Sequence, residues 1–213
     1  MKLDKITPEE ASSLIDGRVE YRPTFCIATP ERTAVAIFAP PIAQHFKVKL
    51  PGALELTRLW QANGEFRPLS AFVGAALRWL HKLAPDCPCI FSYADPAQID
   101  PHTHRYHSGG IYQATNFTLL GLARATDKWR TPSGTIWSPQ KLYRFTPGFA
   151  ERFPDATDRH GKRRRGTKSN ATIQELHPDW TLIPGEPKIL FCYPMRLTVN
   201  DVRKIIGGRY KSS

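Results

Sequence analysis

Residues 90–118 hold the side chains whose types and order best suit chemistry. An apolar run that begins at Ile90 is too short for a helix and rich in strand-forming residues, which predicts a buried strand that ends before Pro96. Asp95 therefore stands at the carboxyl end of a strand, the edge at which open α/β sheets bind ligands. A carboxylate in such a cleft can accept a proton or hold an N–H group.

Further polar side chains follow a pair of glycines. Gly109 and Gly110 permit close approach of the backbone at the start of a helix predicted over 110–122. Tyr112 and Asn116 are four residues apart, so they fall on one face of that helix. A carboxylate, a phenol and a carboxamide are thus expected to share one cleft, although each residue taken alone also suits a turn or an ordinary surface position.

The loop between these two segments is rich in histidine. His102, His104 and His107 follow Asp100, and imidazole and carboxylate groups suit zinc or iron. Their spacing matches no closed zinc pattern. The loop therefore has two interpretations, a metal site and a merely polar surface loop.

Three predicted elements position Asp95. Alternating polarity over 54–60 predicts a strand with one buried face, helical spacing over 68–83 predicts the best helix of the chain, and the run at 89–94 is the second strand. A strand, a crossover helix and a strand form a β-α-β unit, so the two strands should be parallel neighbours. Either a bulge or a strand end would turn Arg58 towards the cleft, and the sequence leaves both open.

The start of the helix over 68–83 also suits an anion. Pro68 and Ser70 mark its first turn and Arg67 precedes it, so unbonded backbone N–H groups and a cation come together where a phosphate could dock. Most helix starts share this property to some degree.

Simpler patterns predict the flanking elements. Thr7 and Pro8 begin a short helix that continues to about residue 15, and residues 45–49 form a basic loop. Apolar runs predict a hairpin of two strands over residues 25–28 and 34–38 and a last buried strand over 188–193. Helical spacing predicts a terminal helix over 199–206.

Composition limits the function classes. The 213 residues include 30 Lys and Arg against 19 Asp and Glu, a formal net charge of +11, which favours a nucleic-acid partner over a basic enzyme without one. No apolar run approaches the ~20 residues of a membrane span, and the charged N-terminus has no signal-peptide core. The four cysteines are expected to be reduced thiols of a cytoplasmic protein.

Residues 126–185 are interpreted as a basic and aromatic insertion in a single domain whose core covers about residues 20–125 and 186–195. Rings and cations are interleaved there, which suits unstacked bases and phosphates but equally the packed edge of a hairpin, at Trp129, Arg130 and Trp137. A run over 159–168 without an acid suits either contact with a nucleic-acid backbone or a solvated loop, and it includes Lys162, Arg163, Arg164 and Arg165. The Walker, G-x-G-x-x-G and G-x-S-x-G motifs do not occur.

Four segments resemble those of a known family. They are ALELTRLW at 53–60, SYADPAQ at 92–98 joined to GGIYQATNF at 109–117, WSPQKLY at 137–143 and PKILFCYP at 187–194. Over about residues 25–195 the sequence resembles the phage Mom family of DNA-modification proteins. The resemblance implies an α/β fold related to the GNAT acyltransferases, with a mixed central sheet flanked by helices. It also implies conversion of adenine in DNA to its N6-carbamoylmethyl form, which shields phage DNA from host restriction.

The resemblance further implies the site residues. The arginine of the E-L-T-R strand, a serine early in the next helix, and the aspartate and tyrosine of the central motif correspond to Arg58, Ser70, Asp95 and Tyr112. The family's short G-H-x-G link is replaced here by an insertion in which His107 is nearest to the usual histidine. The family's His-Tyr pair before its first long strand and the acyl-CoA loop of GNAT enzymes have no match. Iron is therefore expected only if the inserted histidines supply a ligand, with His107, Asp95 and Tyr112 as the candidate set.

Such an enzyme would act on double-stranded DNA with a small-molecule donor, for which acetyl-CoA and a glycine-derived compound are candidates. It would work in the cytoplasm of a bacterial host cell and be encoded by a phage or prophage. The target base would leave the duplex and stack on Trp129 or Trp137.

Each site residue then has an expected role. Asp95 accepts the proton of the adenine amine or binds its N–H, and Tyr112 donates to the incoming carbonyl or ligates a metal. Arg58 and Ser70 hold an anionic part of the donor. Two other functions stay open, a nucleic-acid-binding protein without catalysis and a GNAT-type acyltransferase that acts on a small amine.

Overall fold

The computed structural model describes residues 1–15, 23–62, 68–96, 108–123, 125–137, 173–175 and 177–207. The chain divides into two compact units, the first of Met1–Ala123 with Lys188–Ser213 and the second of Arg124–Pro187. The second unit begins and ends close to the predicted insertion, while the prediction of a single domain stays a prediction. Among the described residues, none of the helices combines the length and the hydrophobicity of a membrane span.

The first unit is built on a seven-stranded sheet. Its strands are β1 (Asp4–Ile6), β2 (Phe25–Ala28), β3 (Ala34–Ala39), β4 (Leu54–Gln61), β5 (Cys89–Ala94), β6 (Thr118–Leu122) and β10 (Ile189–Pro194). They lie in the order β1-β2-β3-β4-β5-β10-β6, and every neighbouring pair is antiparallel except β4 with β5. The mixed sheet flanked by helices confirms the predicted α/β fold class, and the parallel pair confirms the predicted β-α-β unit.

Five helices accompany this sheet within the described residues. They are α1 (Pro8–Leu14), α2 (Gln44–Lys49), α3 (Leu69–Leu83), α4 (Gly110–Gln113) and α5 (Val199–Ile206). The α1 helix starts as predicted, because the Thr7 hydroxyl accepts a hydrogen bond from the Glu10 N–H at 3.1 Å. A reciprocal capping box of Thr198 and Asp201 begins α5.

The sheet separates two apolar layers, because successive side chains of a strand point to opposite faces. On one face, Leu56 and Ile90 pack with α3. On the other face, Phe91 packs with α2 and α5, and Ile37 packs with α1. Both faces of β4 and β5 are thus covered, so a polar side chain on these strands is buried unless it lies near a strand end.

An arginine closes the turn between β2 and β3. The Arg32 guanidinium lies 2.8 Å from the Asp4 carboxylate of β1 and 2.6 Å from the Glu10 carboxylate of α1. One side chain therefore joins the hairpin turn to two other elements. This side of the sheet is held together by both apolar packing and ion pairs.

The second unit has a small sheet of its own. Its strands β7 (Lys128–Arg130), β8 (Ile136–Trp137) and β9 (Thr181–Ile183) lie in the order β8-β7-β9, and both pairings are antiparallel. Before β7, the Asp127 carboxylate accepts a hydrogen bond from the Gly185 N–H at 3.0 Å. This bond ties the two ends of the unit's described chain together.

Two predicted elements are wrong. The basic segment 45–49, expected to be a loop, belongs to α2. The residue before this helix is Ala43, whose side chain cannot cap it, so the sequence gives no start signal. The helix predicted over 110–122 ends at Gln113, and Thr118–Leu122 is β6 instead. The partner of β6 is β10, which lies far later in the sequence, so no local pattern could reveal the pairing.

Candidate active site

The parallel strands β4 and β5 pair only where they begin. Within these two strands, both described in full, backbone pairing joins Leu54 to Ile90 and Glu55 to Phe91 and goes no further. At the next position a side chain bridges the strands, since the Ser92 hydroxyl donates to the Leu56 carbonyl at 3.3 Å. The carboxyl-terminal halves of β4 and β5 are therefore not joined by backbone pairing.

A bulge in β4 decides the direction of Arg58. Phe38 of β3 is opposite Leu56, and Ile37 is opposite Arg58, so Thr57 is the extra residue. In an unbroken strand Arg58 would share the face of Leu56 and point into the apolar layer beneath α3. The bulge instead places Arg58 on the face of Ile37, where it is exposed. Of the two possibilities that the sequence leaves open, the bulge is correct.

Asp95 directly follows β5, as predicted. Antiparallel pairing of β5 with β10 brings Lys188 opposite Asp95, and the Lys188 ammonium lies 3.2 Å from Oδ2 of Asp95. The Asp95 side chain is 14% exposed and the Lys188 side chain 50%. Alternation along β5 puts Asp95 in series with Phe91, which packs on the face opposite to α3.

Arg58 and Asp95 thus share one face and one end of the sheet. Counted from the paired residues Glu55 and Phe91, Arg58 lies three positions along β4 and Asp95 four positions along β5. We name Arg58, Asp95 and Lys188 the strand-end site. A carboxylate in this place can bind an N–H group or accept its proton, while a guanidinium can hold an anionic group.

Tyr112 lies on the other face of the sheet. It is 5% exposed, and its ring centroid lies 5.5 Å from that of Phe117 and 5.3 Å from that of Phe191, in the layer beneath α3. Burial raises the pKa of the phenol, although a hydrogen bond with the Ser92 side chain opposes this rise. Tyr112 is therefore a neutral group behind β5, and the expectation that it shares the open cleft with Asp95 is not met.

One glycine of the pair before Tyr112 is required by packing. Gly109 has a φ of 81°, and a Cβ atom there would collide with the Phe191 ring and lie 3.3 Å from the Ala94 Cβ. A Cβ atom on Gly110 would meet nothing within 4 Å. Gly109 alone therefore allows α4 to pack on β5 and β10, which fixes the position of Tyr112.

Asn116 does not share a helical face with Tyr112, so that expectation is wrong. The α4 helix ends before it, and Asn116 has a φ of 65° in the exposed turn that follows. The Thr115 hydroxyl closes this turn by donating to the carbonyls of Ile111, at 2.9 Å, and Tyr112, at 3.1 Å. Asn116 is a left-handed turn residue, a position that asparagine tolerates well.

Ser70 is the second residue of α3 and is half-buried. The Pro68 side chain gives α3 no hydrogen-bonded cap, and no acid occupies the first turn. Because α3 follows the carboxyl end of β4, its start belongs to the end of the sheet that carries the strand-end site. An anion site at Ser70 stays a prediction, since the neighbouring Arg67 lies outside the described residues.

Glu55 is a functional candidate that the sequence reasoning did not select. It is 3% exposed, and its Oε2 accepts a hydrogen bond from the Ile42 N–H at 2.9 Å. Burial raises the pKa of Glu55, while that hydrogen bond and the charges of Lys188 and Lys47 oppose the rise. The signal in the sequence was an acid between Leu54 and Leu56, where alternation alone explains it as a solvent-facing residue.

The aromatic residues of the second unit form a core. Trp129 is 1% exposed and packs with Ile173, Trp137 and Trp180. Alternation along β7 places Arg130 on the opposite face, where it is exposed. The Trp129 ring is therefore covered, contrary to the expectation that it stacks on a base. Trp137 is half-buried and, like Arg130, stays a candidate for contact with DNA.

Five expected site residues cannot be placed, because they lie outside the described residues: His107, Lys162, Arg163, Arg164 and Arg165. Among the residues that the structure does describe, no three His, Cys, Asp or Glu side chains lie close enough to hold a metal ion. The two described members of the expected iron set are Tyr112, a buried phenol that would have to lose its proton, and Asp95, which is paired with Lys188. The described residues thus do not fit an iron centre.

The geometry can be compared with known proteins. A family model described as the Mom protein family matches residues 39–176, more than half of the chain. The matched range contains Arg58, Ser70, Asp95 and Tyr112, and it ends before β10. The comparison with curated proteins gives no match.

Proposed function

The chain belongs to the Mom protein family, a family associated with DNA modification, and from this premise we propose that it is a transferase that converts adenine in DNA to N6-carbamoylmethyladenine. The observation that carries the proposal is the family match, because its range includes all four residues that the resemblance marks as functional. The relation to GNAT acyltransferases belongs to the same proposal. Double-stranded DNA and a small-molecule donor are its proposed partners.

Asp95 is the proposed acceptor for the adenine amine. The exocyclic amine is a poor nucleophile because its lone pair is delocalised into the ring. A positioned carboxylate can take its proton while the nitrogen bonds to a carbon of the donor and the donor's leaving group departs with the electron pair of the broken bond. Such a base cannot be reached inside a duplex, so it must be flipped out or captured unstacked. The position of Asp95 at the carboxyl end of β5, only 14% exposed, supports this role.

Arg58 and the start of α3 are proposed to hold the donor. The bulge at Thr57 directs the Arg58 guanidinium away from the apolar layer, and a guanidinium binds carboxylate or phosphate groups well. The first turn of α3 carries Ser70 and no acid, so its N–H groups suit an anion too. The donor is therefore expected to carry a negative charge.

Tyr112 is proposed to act from the opposite face. Its hydroxyl is bonded to Ser92, and Ser92 also bonds Leu56 at the position where the pairing of β4 with β5 has stopped. A donor that entered between the two strands would meet this neutral phenol on one side and Asp95 on the other. Because Ser92 donates its one proton to Leu56, Tyr112 donates its own proton to Ser92. On binding of the donor, Tyr112 would turn this proton to the donor's carbonyl, a role that its raised pKa supports.

Mass spectrometry of nucleosides tests the proposal. DNA from cells that express the full chain should contain carbamoylmethylated adenine, which DNA from cells with the empty vector should lack. If adenine stays unmodified while the protein is folded and present, the transferase proposal is wrong. DNA binding by the purified protein in that case would favour the non-catalytic alternative.

A further inference from the structure

We propose that Lys188 is a positioning residue of the active site, which holds the Asp95 carboxylate in the orientation that the reaction needs. This inference rests on the proposed function of Asp95 and adds a residue that lies beyond the range of the family match. The contact that motivates it joins Nζ of Lys188 to Oδ2 of Asp95 at 3.2 Å.

The backbone of Lys188 is fixed on both sides. Ile189 and Ala94 are the last directly paired residues of β10 and β5, so Lys188 and Asp95 face each other one position beyond the two strands. On the other side, the Lys188 carbonyl accepts a hydrogen bond from the Ala123 N–H at 2.8 Å. The ammonium therefore extends from a held backbone rather than from a loop, and less freedom is lost when it contacts the carboxylate.

Stability alone does not explain this ion pair. The Lys188 side chain is half exposed, and exposed ion pairs contribute little to the free energy of unfolding. Asp95 is much more buried than its partner, so the pair has one shielded carboxylate at a ligand-binding edge and one solvated cation. A charge-assisted contact to Oδ2 restricts rotation of the carboxylate, and this holds the acceptor in one orientation at the end of β5.

The surrounding charges favour an ammonium in this place. Glu55 is buried nearby, and the positive charge of Lys188 stabilises its ionised form. Lys188 thus interacts with two acids of the same sheet face, while Arg58 is the cation of the adjacent strand. Removal of the Lys188 charge would take this cation away from both Asp95 and Glu55. The substitution should therefore lower the rate of modification and not only the free energy of unfolding.

Variants of the full chain test this role. Lys188→Met keeps the apolar stem and removes the charge, and Lys188→Arg keeps the charge. Lys82→Met removes the charge of another exposed lysine, in the last turn of α3. Modified adenine in the DNA of expressing cells, divided by the amount of folded protein, should fall about 10- to 100-fold in Lys188→Met. It should recover largely in Lys188→Arg and stay unchanged in Lys82→Met.

Two further measurements separate positioning from a structural effect. The ¹³C carboxyl signal of Asp95, assigned by its loss in Asp95→Asn, should shift in Lys188→Met while the thermal midpoint of unfolding matches that of Lys82→Met. Full modification by Lys188→Met, or an unshifted Asp95 signal, would overturn the inference and leave the proposed function standing. If the wild-type chain itself modifies no adenine, the proposed function fails, and the inference falls with it.

Discussion

The two strands next to β4 pair with it over very different lengths. On one side, β3 pairs with it from Ala34 opposite Gln61 to Ala39 opposite Glu55, and every residue of β3 is buried. On the other side, β5 pairs with it only at Leu54 and Glu55. The first side is closed, whereas the second carries the strand-end site. The edge of β4 that pairs with β3 therefore contributes to stability, and the edge next to β5 carries the proposed site.

The bulge at Thr57 allows both assignments. Pairing with β3 continues beyond the bulge, where Ile37 is opposite Arg58, and the Thr57 hydroxyl donates to the Ile37 carbonyl at 3.2 Å. The extra residue changes the face of Arg58 without ending the ladder. An unbroken β4 would either bury this cation or lose its contacts with β3.

The largest effect on stability is expected on the closed side. Ile27 of β2 is 0% exposed, and Ile27→Ala should lower the free energy of unfolding by about 2–5 kcal/mol because it leaves a cavity. Modified adenine per folded molecule should be unchanged, because Ile27 is two strands away from β4. Urea unfolding and nucleoside analysis measure the two quantities. The exposed Ile136, substituted by alanine, is the control and should cost less than about 1 kcal/mol.

A smaller effect is expected at the glycine that positions α4. Gly109→Ala should lower the free energy of unfolding by about 2–4 kcal/mol, because a side chain at φ 81° is strained and its Cβ would collide with Phe191. Gly110→Ala has open space and should be neutral or slightly stabilising. Equal stability of the two variants in urea would mean that α4 does not pack against β10 as described.

The smallest expected effect concerns pH. Burial raises the pKa of Glu55 in the folded chain, so the folded chain binds this proton more tightly than the unfolded chain does. The free energy of unfolding should therefore fall as the pH rises from the ordinary glutamate pKa of 4.5 through the raised value. Glu55→Gln keeps an oxygen for the Ile42 N–H but cannot ionise, so its decline over this range should be shallower. Urea unfolding at several pH values gives this dependence. If the free energy of unfolding fell equally with pH in both proteins, the prediction for Glu55 would be wrong.

Much of the fold follows from local sequence patterns, and the exceptions share a cause. The strands at 54–60 and 89–94 and the helix at 68–83 were predictable, because their apolar spacing is regular and proline or glycine bounds them. The edge strand β6 was not, since only its pairing with the distant β10 makes Thr118–Leu122 a strand.

The candidate site was predictable only in part. Asp95 could be placed at a strand end from the apolar run before it. The side of the sheet that Tyr112 occupies could not, because it depends on the contact of Gly109 with Phe191. Lys188 and Glu55 were not predicted as site residues either. Only the tertiary structure brings Lys188 next to Asp95 and buries Glu55.

The proposed function places the chemistry where β4 and β5 stop pairing. The most direct test compares Asp95→Asn with Ile27→Ala in cells, with modified adenine measured by mass spectrometry and divided by the amount of folded protein. We expect a loss on the order of 100-fold or more for Asp95→Asn, which keeps its fold, and no loss for Ile27→Ala. Modification by folded Asp95→Asn at the wild-type level would show that the chemistry does not take place at this strand end.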